Sequence, residues 1–99
     1  MENLFAYGTL RDERVQQQLF GRTLRGKSDT LIDYTLSSIT IGDHVYSSAV
    51  IKQGGQINGL VFELNTEELE ITDKYEGEKY KRIKAKLASG LESWVYASL

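Results

Sequence analysis

Ninety-nine residues are enough for one modest hydrophobic core and not for two. A net charge of −2 provides no positive field to attract nucleic acid or an anionic bilayer, and the absence of cysteine removes disulfides, thiolate catalysis and zinc–thiolate sites together. The apolar share of 40% and the charged share of 26% are those of an ordinary globular chain.

The opening segment has an acid at Glu2 and no basic, apolar leader, so a signal peptide is not expected. No apolar run approaches the span of a bilayer. A cytoplasmic protein follows as the expectation, and without repeats or linkers residues 1–99 are expected to form a single domain. Asn3–Tyr7 reads as a short strand, apolar on both faces and ending at Gly8. A helix is predicted over Arg11–Phe20, with Val15 and Leu19 on its apolar face, glutamines and charges elsewhere, and Gly21 as its stop. From Asp29 onward the pattern becomes that of strands, Leu31–Ile41, Val45–Lys52 and Gln56–Leu64, separated by turn signals at Gly42-Asp43 and Gly54-Gly55.

Asn65, with Glu68 three residues on, is a capping box that opens a second helix running to about Tyr75. Lys79–Leu87 is predicted as a strand with Ile83, Ala85 and Leu87 on one face, returned through Ser89-Gly90 to a hairpin partner at Ser93–Ala97. The order β, α, several β, α, β-hairpin makes this an α+β protein with mainly antiparallel pairing. Two helices cannot cover so large a twisted sheet, which would best hide its edges by curling into a barrel.

Several chemistries are excluded or disfavoured. The one histidine, His44, stands beside a turn, no Gly-x-Ser-x-Gly elbow is present, and neither phosphate-binding glycine pattern occurs. Glu67, Glu68 and Glu70 fall on different helical faces and read as solvated surface rather than metal ligands. The alternating Lys and Arg residues of Lys79–Lys86 read as an exposed strand face, not a nucleic-acid platform.

Two segments remain that can carry chemistry. In Phe5-Ala6-Tyr7-Gly8-Thr9-Leu10, Gly8 lets a ligand approach the backbone, and the following N–H groups at a helix start suit an anion. In Leu69–Gly77, the residues Leu69, Asp73 and Glu76 share one helical face, so Glu76 is expected to be half-sheltered at the helix C-terminal end. There the dipole and nearby Asp73 would raise its proton affinity toward that of a general base. The residues alone favour a strand-to-helix turn that binds nothing and a surface glutamate before a capping glycine.

Taken together, Tyr7-Gly8-Thr9-Leu10 after an apolar strand, Gly59-Leu60-Val61-Phe62-Glu63-Leu64, and Asp73-x-Tyr75-Glu76-Gly77 followed by Tyr80-x-Arg82 resemble the γ-glutamylcyclotransferase-like superfamily. That superfamily includes γ-glutamylamine cyclotransferases, plant avirulence-induced proteins and a butirosin-biosynthesis enzyme. The resemblance implies a small, mainly antiparallel mixed β-barrel with short flanking helices. It also implies cyclisation of a γ-glutamyl amine or peptide to 5-oxoproline, with no metal or other cofactor. On this resemblance Tyr7, Gly8, Thr9 and Leu10 would hold the γ-glutamyl group, Glu76 would be the proton acceptor, Tyr80 would line the pocket and Arg82 would support it from behind. Arg11-Asp12 departs from the Pro-Gly frequent in the family, and the chain is short for it; both leave the leaving group open. A non-catalytic small-molecule-binding or protein-interaction domain on the same scaffold is the alternative expectation, and neither a nucleic-acid nor a membrane partner is expected.

Overall fold

The computed structural model describes residues 1–98, so Leu99, the last residue of the expected domain, lies outside the described residues. Strand β1 (Glu2–Ala6) leads through a 3₁₀ turn (Thr9–Arg11) into helix α1 (Glu13–Phe20). Strands β2 (Lys27–Ile41) and β3 (His44–Leu64) follow, then helix α2 (Thr66–Glu76) and strands β4 (Tyr80–Lys86) and β5 (Glu92–Ser98). The strands form one five-stranded sheet in the order β2-β3-β1-β5-β4. Pairing is antiparallel except where β1 and β3 each run parallel to β5. The sheet curls until its two edges meet at a Leu31–Leu87 bridge and an Ala88 N–H bond to Thr30 O. The result is a small mixed barrel, open on one side, with two flanking helices, as the resemblance implies. Neither helix is long and apolar enough to cross a membrane.

The pleat sorts the apolar residues into two cores. Phe5, Tyr7, Leu31, Ile57, Val61, Leu87 and Val95 fill the barrel, with Ile83 and Ala85 packed against them. Leu4, Ala6, Phe62, Leu64 and Tyr96 point outward from the sheet, beneath the helices, and pack with Leu69 of α2, Val15 and Leu19 of α1, and Trp94. β1 is apolar on both faces because it lies between both cores.

The structure corrects the expected elements in three places. Gly54-Gly55 does not separate two strands: β3 is continuous, and the register against β2 slips between Ile32–Gln56 and Tyr34–Ile51. The extra β3 residues bulge around Asp33, whose carboxylate accepts the Gly54 N–H at 3.0 Å, so β2 and β3 are one long hairpin bent at a corner. Beyond that corner, Tyr34–Ile41 and His44–Ile51 form an arm closed by the expected Gly42-Asp43 turn. Helix α1 begins at Glu13, not Arg11, because Asp12 caps it by accepting the Arg14 N–H, and the 3₁₀ turn takes up the residues before it. β2 also starts at Lys27, where pairing with Val61 begins.

The capping box at Asn65–Glu68 is present in full, yet Glu68 is buried rather than solvated. The Arg22 guanidinium forks onto both its oxygens at 2.8 Å, which ties the segment after α1 to the start of α2 and holds the carboxyl below its usual range.

Gly59 sits where β3 crosses β1 closely: a Cβ there would lie 2.5 Å from Ala6 O and 2.6 Å from the Phe5 ring. Gly59→Ala is therefore expected to lower the unfolding free energy by about 1–3 kcal/mol, read as an earlier urea midpoint. An unchanged midpoint would show that β1 and β3 can separate at this crossing without loss.

Candidate functional site

β1 stops at Ala6 while its neighbours continue, and beyond it β3 and β5 come together at Ala49 and Ala97. Tyr7 occupies the fork between them. Its hydroxyl donates to Tyr96 O at 2.5 Å and accepts the Ala49 N–H at 3.0 Å, standing in for the missing strand. Burial pushes the phenol up to about 12, so it is a donor at any working pH.

After Tyr7 the chain turns out of the sheet. The 3₁₀ turn's own bonds begin with the N–H groups of Arg11 and Asp12, donated to Gly8 O and Thr9 O, and Gly8, Thr9 and Leu10 precede them. Leu10 is buried, and its carbonyl accepts the side-chain amide of Gln16 at 2.8 Å, while Gln16 Oε1 accepts the Leu24 N–H at 2.7 Å. Gln16 is therefore not part of a solvated helix face; it is a buried clamp that fixes the far end of this loop.

The loop forms one wall of a cleft of about 670 Å³. Tyr7, Gly8, Thr9, Leu10 and Arg11 face Tyr75, Glu76, Tyr80 and Tyr96 across it, and Ile41, Val45, Tyr46 and Ser47 of the arm supply the remaining side. The structure thus brings together six residues singled out in the sequence: Tyr7, Gly8, Thr9, Leu10, Glu76 and Tyr80.

Glu76 is the last residue of α2, followed by Gly77 at φ 82° and ψ −171°, an extended positive-φ conformation that stops the helix and that glycine adopts without a Cβ penalty. Among the described residues, Glu76 has neither an ion pair nor a hydrogen bond from a side chain. Burial raises its carboxyl from the ordinary 4.5 to about 7. Asp73 is not the cause. It accepts the Tyr96 hydroxyl at 2.6 Å and the Arg82 guanidinium at 3.0 Å, so its charge is directed to those partners.

Arg82 stands behind the cleft, not in its lining. It bonds Asp73 and lies over the Trp94 ring at 4.4 Å, and Trp94 in turn donates to Glu2. Tyr80 donates to Ser47 O at 3.0 Å, which binds β4 to the base of the arm. Across the mouth, the hydroxyls of Thr9 and Tyr75 bond at 2.5 Å. Tyr75, Tyr96, Gln16 and Arg11 were not expected from the sequence as site residues, although Tyr75 stands in the motif beside Glu76. Tyr96 could have been, since alternation in β5 puts it on the same face as Trp94; Gln16 gives no such signal among three consecutive glutamines.

The model of the "Gamma-glutamyl cyclotransferase, AIG2-like" family matches residues 4–98. Among solved structures, an Arabidopsis thaliana protein determined in solution superposes with a TM-score of 0.85 at 23% identity, covering 98% of this chain and 61% of its own. A γ-glutamyl cyclotransferase superposes with a TM-score of 0.82 at 20% identity over 99% of this chain and 66% of its own. An uncharacterized Homo sapiens protein does so with 0.81 at 21%, over 99% and 66%. At these identities the likeness is one of fold, and this chain spans about three fifths to two thirds of those structures' lengths. No curated protein matches the chain by direct comparison.

The raised proton affinity of Glu76 has a consequence for stability. Its folded-state value lies above its unfolded one, so the stabilising contribution is full below about 4.5 and is lost as the pH rises through about 7. Glu76→Gln, which carries no charge to bury, should therefore be more stable than the wild type at pH 8 by on the order of 2 kcal/mol, and equal to it near pH 4. Parallel thermal melts across that range check this; equal melting temperatures at pH 8 would mean that the carboxylate is adequately solvated.

Proposed function

This chain belongs to the γ-glutamyl cyclotransferase, AIG2-like family, and on that premise we propose that it cyclises a γ-glutamyl amine or peptide to 5-oxoproline and releases the amine. The observation that carries the reading is the pairing of a half-buried Glu76, without an ion pair among the described residues, with the Tyr7–Leu10 loop in the lining of one cleft.

In such a substrate the nucleophile and the electrophile belong to the same molecule. The α-amine attacks the γ-carbonyl, a C–N bond forms to close the five-membered ring, and the original amide C–N bond breaks. Tethering already supplies most of the proximity, so the cleft's task is to hold one folded conformer, an effect of several kcal/mol at best. The α-amine is mostly ammonium near neutrality and must lose a proton to attack. Glu76 accepts that proton and passes it to the departing nitrogen. Its raised proton affinity fits both halves of the transfer, since a group near 7 is a competent base and then a competent acid at neutral pH.

The charged residues lining the cleft are Arg11 and Glu76, which complement the carboxylate and the ammonium of a γ-glutamyl head. The Arg11 side chain is anchored by its Nε–H on Gly8 O at 3.1 Å, and its remaining N–H groups can grip the α-carboxylate together with the loop amides. Tyr80 shapes the wall beside Glu76, and Arg82 acts indirectly, through Asp73, by keeping Tyr96 in place. None of these steps calls for a metal or a cofactor, and the cysteine-free sequence suits a reducing cytoplasm.

Incubation with γ-glutamyl dipeptides and γ-glutamylamines, followed by assay of 5-oxoproline, tests the reading. The expected outcome is release whose kcat/KM falls about tenfold per pH unit below about 7, as Glu76 takes up its proton. Glu76→Gln should lower turnover by about 10²–10⁴-fold while retaining the fold. Stabilisation by 5-oxoproline without turnover of any γ-glutamyl compound would instead mark a binding domain. Gly8→Ala separates folding from binding: Gly8 has φ −123° and a Cβ there would meet nothing within 4 Å. That variant should keep its fold, as a retained cooperative melt, yet show a higher KM, because the added methyl enters ligand space. An unchanged KM would remove the loop backbone from substrate binding.

A further inference from the structure

The cleft is divided by chemistry. Its charges, Arg11 and Glu76, lie on the loop and the end of α2. The arm contributes Ile41, Val45 and Tyr46 and no charged residue, although Asp43 and His44 lie in the sequence between Ile41 and Val45. Val45 is 66% exposed and Tyr46 42%, so neither belongs to a core; as neighbours in β3 they project to opposite faces of the arm, and both border the cleft. The arm is also held in position: Ser47 O accepts the Tyr80 hydroxyl, and the Ser48 and Ser98 hydroxyls bond each other. At about 670 Å³ the cleft has the size that receives a drug-sized molecule, more than a γ-glutamyl group alone fills.

We propose that the arm is the leaving-group subsite, and that the substrates are γ-glutamyl amides of apolar, preferably aromatic or long-chain alkyl, amines. This rests on the cyclotransferase reading and extends it to the half of the substrate that the family match leaves open. With the γ-carbonyl beside Glu76 and the α-carboxylate at Arg11, the amide nitrogen and its substituent lead away toward Ile41, Val45 and Tyr46. A ring or alkyl chain there covers apolar surface that is otherwise wet, and stacks beside Tyr46. A leaving group with its own carboxylate or ammonium would lose hydration against these side chains, and His44, whose ring lies 6.1 Å from that of Tyr46, is not in the cleft lining to replace it.

The test is a set of γ-glutamyl amides differing only in the amine: benzylamine and n-hexylamine against ethanolamine and glycine, each followed by 5-oxoproline release. The expected result is a kcat/KM about tenfold or more in favour of the apolar amines, in the range that a hydrophobic pocket provides. Val45→Glu should reduce that preference about tenfold; the ratio is taken within a single preparation, so any loss of folded protein cancels. Val45→Ser, a smaller change, should fall between the two. Equal turnover of all four amides, or a preference for glycine, would overturn the subsite and leave the cyclotransferase reading standing. So would an apolar preference that survives in Val45→Glu. Release of 5-oxoproline from no amide would overturn the cyclotransferase reading, and the subsite with it.

Discussion

β1 is shorter than the strands on either side of it, and the rest of the site is arranged around that shortfall. A sheet whose middle strand ends early leaves a fork lined by unpaired backbone groups, and buried groups of that kind must find partners. Here a side chain of the same strand supplies them: the Tyr7 hydroxyl closes the fork by bonding once to each neighbour. The chain is then free to leave the sheet at Gly8 without opening the barrel beneath it. Stability and access are reconciled at one phenol, which belongs to the barrel core by its ring and to the cleft by its position.

The opposite wall depends on a second division of labour. Glu76 keeps a high proton affinity because it is partly withdrawn from water, with no ion pair among the described residues, whereas Asp73, one turn earlier on the same helix, is engaged through one carboxylate oxygen by both Arg82 and Tyr96. Arg82 is in turn held over Trp94, which reaches Glu2 at the start of β1. Among the described residues, the charges behind the cleft are matched with one another, whereas Glu76, in the lining, has no ion pair. Withdrawing an ionisable group from water without a partner is costly to a small domain, and a carboxyl so placed in a cleft is the kind of group the proposed function calls for.

Much of this was legible in the sequence, for definable reasons. Strong periodic signals located β4 and its hairpin, and the capping box located α2, whose end was expected at about Tyr75, one residue short of Glu76. The parts that were not legible depend on contacts between distant segments. Gly54-Gly55 has the composition of a turn, but pairing with Asp33 makes it a corner within one strand. Glu68 has the pattern of a solvated capping residue until Arg22 arrives from the other helix. Gln16 is indistinguishable from Gln17 and Gln18 until Leu10 and Leu24 are brought to either end of its amide. Local rules describe a residue's neighbours along the chain, and each of these is defined by a neighbour across it.

The bent hairpin also separates two properties that usually evolve together. Below the corner, β2 and β3 are committed to the barrel; above it, the same strands carry the apolar side of the cleft. The pitch of that upper portion is set by the Asp33 bulge, at a distance from Glu76 along the chain. Lengthening the bulge or changing its glycines would tilt the far wall and resize the opening while Glu76 and the Tyr7–Leu10 loop stayed untouched. A scaffold of this kind can thus alter which molecules its cleft admits by editing a bend, without disturbing the wall opposite.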